Sequence, residues 1–134
     1  MLSLEKEVKM KKVISTKNSP SAIGPYSQAI LKNNTLYCSG QIAINPKTGN
    51  LVTDNIRNET HQVMKNILAI LKVANMDFNN VVKCSIFMKD INDYAEINSV
   101  YAKYFNEAPP AREAVQVSVL PKNVNVEISA IAIC

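Results

Sequence analysis

Arg112 and Glu127, in the last third of the chain, are the two side chains best suited to chemistry on a small molecule. A planar guanidinium at the mouth of a strand can hold a carboxylate through two parallel hydrogen bonds. A carboxylate nearby can orient a water and take its proton. By residue type alone, the simplest reading is two solvated strand-end charges or an ordinary surface ion pair, because that is where most charge goes. Their setting adds to this. The runs Glu113 to Leu120 and Val124 to Ile133 both alternate with the period of two of strands that bury one face. Val115, Val117 and Val119 point one way, against Arg112, Ala114, Gln116 and Ser118. Val126, Ile128, Ala130 and Ala132 share a face, against Asn125, Glu127 and Ser129.

If these strands form a hairpin across Pro121-Lys122-Asn123 with polar sides matched, Glu127 faces Ser118, roughly 20 Å from Arg112. One chain then cannot close both groups on a small substrate. Either they do not cooperate or they meet between subunits.

The elements before them follow from periodicity and turn chemistry. Lys11 to Thr16 predicts a short strand, Ala29 to Lys32 and Thr35 to Ser39 a hairpin about Asn33-Asn34, and Val81 to Met88 a further strand. In this last strand Val82, Cys84, Ile86 and Met88 are expected to share a face. Asp54 is the expected N-cap of a helix reaching about Ala74, with Met64, Ile67, Leu68 and Leu71 as its apolar stripe and Asn75 in the left-handed position beyond it. Asp93 and Glu96 suggest a capping box for a second helix carrying Ile97, Val100, Tyr101, Tyr104 and Phe105. Gly24-Pro25 sets a bend that presents Tyr26, and Ser39-Gly40 ends a strand where backbone could approach a ligand. The expected fold is α+β: a two-layer domain with a six-stranded mixed sheet and two helices on one face. The other face needs a partner, and self-association is the economical one.

The totals fit one domain. The chain has 134 residues, 47% hydrophobic and 19% charged, without an apolar run long enough to span a membrane. Residues 1–10 read as a flexible extension, with Met10 as an alternative start, and 11–134 as a single domain. Three dispersed cysteines, Cys38, Cys84 and Cys134, suit reduced thiols in a cytoplasmic compartment, with Cys38 and Cys84 in the core. One histidine, His61, and no CxxC give no metal cluster. Net charge +4 and pI near 9.0 favour anionic partners. The lysines are scattered, which supplies little of the basic face that nucleic acid needs.

The segments Ile23-Gly24-Pro25-Tyr26-Ser27-Gln28, Ser39-Gly40-Gln41-Ile42, Asn45-Pro46-Lys47-Thr48-Gly49, Asp90-Ile91-Asn92-Asp93, Pro110-Ala111-Arg112, Leu120-Pro121-Lys122 and Glu127-Ile128 together resemble the RidA (YjgF-type) family. That resemblance implies chorismate-mutase-like subunits in a homotrimeric barrel, with clefts between neighbours. It implies hydrolysis of 2-aminoacrylate and 2-iminobutanoate to 2-oxo acids and ammonia, without cofactor or metal. It further implies that Arg112 binds the substrate carboxylate, that Glu127 places the water, and that Tyr26, Ser39, Gly40 and the backbone at Ala114 line the site. Ala114 stands where the family often has Cys, Ser129 where it often has Glu, and Pro109 where it often has an aromatic. Other roles in the family are RNA-directed translation inhibition or endoribonuclease action, and non-catalytic 2-oxo-acid binding or chaperone-like activity.

Overall fold

The computed structural model describes residues 10–134; the expected extension falls almost wholly outside them. Six strands form one mixed sheet: β1 (Lys12–Ile14), β2 (Ala29–Lys32), β3 (Thr35–Gln41), β4 (Val81–Met88), β5 (Ala111–Gln116) and β6 (Val126–Ile133). Two helices, α1 (Ile56–Val73) and α2 (Tyr94–Tyr101), cover one face. The α+β architecture and the chain order of elements agree with the sequence reading. No helix among the described residues is long and apolar enough to cross a membrane.

The spatial order is β1-β2-β3-β6-β4-β5, which corrects the expected β5–β6 hairpin. β6 lies between β3 and β4, antiparallel to both, and β5 pairs in parallel with β4 at the sheet edge. The residues after Gln116 leave the sheet. Pro121–Asn123 makes a 3₁₀ turn in which Lys122 and Asn123 both take φ of 54°. That turn carries the chain from the edge back to the centre, so it cannot be the loop of a two-strand hairpin.

Register sorts the side chains into rows. Ile14, Ala29, Cys38, Ala130, Cys84 and Arg112 are successive cross-strand partners, and all but Arg112 are buried toward the helices. Glu127, Phe87 and Val115 form a row on the opposite, open face. Tyr37, Val115 and Ile133 leave apolar surface exposed on that face. A register shift between Val81 and Lys83 buries Val81 and exposes Val82, against the simple alternation expected there.

Local signals mostly hold. Asn33 and Asn34 both take positive φ in the β2–β3 turn, and Asn75 does so after α1, where the Met76 amide donates to the Leu71 carbonyl. Two caps differ from expectation. Asn55, not Asp54, caps α1 by accepting from the Asn58 amide at 2.8 Å. Asp93 makes no side-chain cap; Asp90 accepts from the Asn92 amide at 2.9 Å and starts a 3₁₀ turn that feeds α2. Asn55 and Asp90, the residues that do cap, both have extended backbone, whereas Asp93 is already in the helical region.

Candidate active site

Glu127 opens into a cleft of about 330 Å³, lined among others by Tyr26, Gly40, Ile42, Pro121 and Lys122. Burial pushes its carboxyl above the ordinary value. Glycine at position 40 leaves room for that carboxyl: a Cβ there would lie 2.8 Å from the Glu127 carboxyl carbon, so the Glu127 side chain would have to shift. Pairing of β3 with β6 shifts register between Cys38 and Gln41, so the Ser39-Gly40 backbone bends where the carboxylate needs room.

The opposite wall is held by Gln28. Its Nε2 donates to the carbonyls of Thr16, Ser19 and Pro20, and its Oε1 accepts from the Thr16 amide at 2.7 Å. This buried amide pins the loop before Tyr26. Tyr26 is exposed, and its hydroxyl accepts from the Ile23 amide at 3.2 Å. Ser39 Oγ donates to the Ser27 carbonyl at 2.6 Å, so Ser39 braces the Tyr26 turn with its hydroxyl.

Arg112 occupies a second cleft, of about 340 Å³, lined by Asn98, Tyr101, Ala102, Phe105, Pro109 and Pro110. Its guanidinium carbon lies 4.9 Å from the centroid of the Tyr101 ring and 5.6 Å from that of Tyr94. Its Nη2 donates to the Tyr94 hydroxyl at 2.9 Å. Hydrogen bonds with Asn98 and Arg112 hold the Tyr94 phenol below its ordinary value. Burial pushes the Tyr101 phenol and the neighbouring Cys84 thiol up, which keeps both neutral beneath the cation. Arg112 has no carboxylate partner among the described ion pairs, which are Arg57–Glu96 and Lys83–Glu113.

The expected site residues thus fall into two groups. Tyr26, Gly40 and Glu127 share one cleft, and Arg112 lies in the other. The Arg112 and Glu127 rows are three positions apart along β4, with two strand spacings between them, roughly 14 Å at the backbone. They also face opposite sides of the sheet. The inference that one chain cannot bring them together therefore stands, on a topology different from the hairpin that suggested it. Ala114 pairs with Ile86 and sits half-buried on the helix face.

Of the residues that surround Arg112, Asn98 and Tyr94 escaped the sequence reading, and Tyr101 entered it only as part of a helix stripe. The Tyr94/Tyr101 spacing of seven on α2 was the available signal, because it puts two rings on one face toward β5. His61 bonds the Tyr104 hydroxyl through Nδ1 at 2.7 Å, and Cys38 and Cys84 are buried free thiols.

An α+β domain of six strands and two helices, with a largely apolar cleft on either side of its sheet, one holding Glu127 and the other Arg112, is the class of protein this chain represents. A family model described as Endoribonuclease L-PSP matches residues 16–134. Bovine 2-iminobutanoate/2-iminopropanoate deaminase is 49% identical over 124 residues, 92% of this chain and 90% of that one. A RutC family protein of Pyrococcus horikoshii is 54% identical over 123 residues, 92% and 98% of the two chains. Among solved structures, a Yersinia pestis member of the Rid protein family superposes with a TM-score of 0.91 at 52% identity, covering 93% of this chain and all of that one, 100%. Escherichia coli TdcF with bound serine gives 0.88 at 37% identity, covering 92% and 98%. The chain belongs to the RidA (YjgF) family.

Proposed function

We propose that this protein is a homotrimeric hydrolase that converts reactive 2-imino and 2-enamine acids, such as 2-iminobutanoate and 2-aminoacrylate, to 2-oxo acids and ammonia. The observation that carries the reading is the division of the polar groups between two open clefts. An arginine without a carboxylate partner among the described residues lies at one sheet edge, and a half-buried carboxylate lies on the face opposite. Near half-identity to proteins named 2-iminobutanoate/2-iminopropanoate deaminase supports it. Packing the open faces inward as a barrel would cover Tyr37, Val115 and Ile133. Because β5 is an edge strand, a neighbour laid against it can present its Glu127 cleft to Arg112.

In such a site the Arg112 fork takes the substrate carboxylate, with Tyr94 and Tyr101 fixing its plane. Ionised Glu127 orients a water and accepts its proton as the oxygen adds to C2 of the imine. Glu127 passes that proton to the imine nitrogen, giving the carbinolamine. The hydroxyl proton follows by the same route as the C–N bond breaks, so ammonia leaves and C2 becomes a carbonyl. An enamine substrate enters this sequence after tautomerising to the imine. An imine carbon is already electrophilic, so orientation and one proton shuttle suffice without a cofactor. Tyr26 and Gly40 bound the water side, Ser39 holds the Tyr26 turn, and the backbone at Ala114 offers polar contacts to substrate. Three free thiols suit a reducing cytoplasm.

The test is 2-oxobutanoate formation from 2-iminobutanoate generated in situ by a threonine dehydratase, with semicarbazide competing for the imine. Wild type accelerates it, and Arg112→Ala and Glu127→Gln do not. Mixed trimers reassembled from the two inactive variants recover activity at roughly a quarter of their sites if each site draws one residue from each neighbour. No acceleration by a folded wild-type trimer sinks the reading. A second reading, RNA cleavage, has the family model's description in its favour, and steeply salt-dependent RNA binding is its mark.

A further inference from the structure

We infer that Glu59, which lines neither cleft, is a positioning residue for Glu127. Glu59 lies in the first turn of α1 and is fully buried, at 0% exposure. A carboxylate so placed must be met by donors, and its three donors come from Asn125 and Val126, just before and at the start of the strand that carries Glu127. Its Oε2 accepts from the Asn125 amide at 2.7 Å and the Val126 amide at 3.1 Å, and its Oε1 accepts from Asn125 Nδ2 at 2.7 Å. These groups stand ahead of Ile128, the first β6 residue to pair with β3. The carboxylate therefore supplies the acceptors that β3, bent away at Ser39-Gly40, does not. On the other flank the Lys89 amide donates to the Asn125 carbonyl, and Lys89 Nζ to Asn123 Oδ1, each at 3.0 Å.

Held between α1 and β4, the segment fixes two things at once. It sets the left-handed Lys122 turn that forms one wall of the cleft, and it sets the depth at which Glu127 emerges against Gly40. Arg112, on another strand and the other face, is independent of it. Releasing the clamp therefore misplaces the water-orienting carboxylate while leaving the carboxylate grip intact, which is a loss in kcat without a loss in KM.

This role rests on the hydrolytic reading of Glu127 given above. Glu59→Gln keeps the volume of the side chain but sets an amide N–H2 against donors. The expected result is a folded assembly in which amide hydrogen exchange quickens at Asn125, Val126 and Glu127 but not in β1–β3. Its kcat falls roughly 10- to 100-fold, with KM within about twofold of wild type. The inference is overturned if kcat is unchanged, if exchange at those three amides is unchanged, or if activity falls only in proportion to unfolded protein. Should Glu59→Gln not fold, Asn125→Ala removes one bond and leaves both backbone amides. A lower kcat at constant KM then supports the clamp, and an unchanged kcat overturns it. If wild type lacks imine hydrolysis the functional reading fails separately, and the exchange rate at Glu127 alone decides the positioning role.

Discussion

The two clefts solve opposite electrostatic problems. In the proposed hydrolysis Arg112 keeps donors aimed at the substrate, and it is held by ring faces and one phenol, none of which is a carboxylate. For the same proposed reaction Glu127 must be ionised to act as a base yet remain reactive, and partial burial raises its proton affinity. One side chain is held in place by ring faces and a hydrogen bond, and the other is made a stronger base by loss of water. Direct contact between the two would undo both states, because an ion pair would bind both and lower the carboxyl, so at the proposed inter-subunit site the substrate stands between them.

The largest expected effect follows from the base. Glu127→Gln should lower kcat by roughly 10²- to 10⁴-fold with little change in KM. Its effect on stability has the opposite sign. Because the folded carboxyl binds its proton more readily than the unfolded one, ionised Glu127 costs stability above its folded pKa. At neutral pH the Gln variant should melt above wild type, and the gap should close as pH falls below the ordinary value of 4.5. The acid limb of wild-type kcat should lie above that same value; a limb at or below it breaks the contrast between the clefts.

Arg112→Lys keeps the charge but loses the planar fork and the ring stacking, so KM should rise roughly 10- to 100-fold with less effect on the acid limb. Gly40→Ala drives a methyl toward Glu127. It should reduce kcat about tenfold or more through misplacement of the carboxylate, measured beside an unchanged affinity for 2-oxobutanoate as a carboxylate ligand. Tyr94→Phe removes one hydrogen bond to Arg112 but retains the ring. A rise in KM of only a few-fold is expected, about the worth of one such bond. A larger effect would mean that the phenol, not the rings, aims the guanidinium.

Much of this was legible in the chain, for local reasons. Asn33-Asn34 and Asn75 announce left-handed backbone, and period-two and helical patterns give the order of elements and most buried faces. Strand neighbours are another matter. Alternation reports which way a side chain points but not which strand lies alongside, so β6 could be paired with β5 on paper while it lies between β3 and β4 in space. The aromatic setting of Arg112 was hidden because Tyr101 fits an apolar helix stripe. Glu59 was hidden because a carboxylate in a first helical turn reads as a solvated dipole partner. At Val81–Val82 the register shift reversed a pattern that would otherwise have been read correctly.

The central place of β6 also governs how the chain acquires its shape. Of the six strands it is the last to be synthesised, yet it alone joins β1-β2-β3 to β4-β5. While it is still inside the ribosome, the emerged chain can form a three-stranded meander and a β4–α2–β5 crossover with nothing between them. Each presents an unpaired inner edge, which is the kind of surface that aggregates. Nascent chains stalled before Val126 should bind holdase chaperones. Emergence of β6 should close both edges in one cooperative step, so the strand at the seam of the molecule is also the one that fastens it.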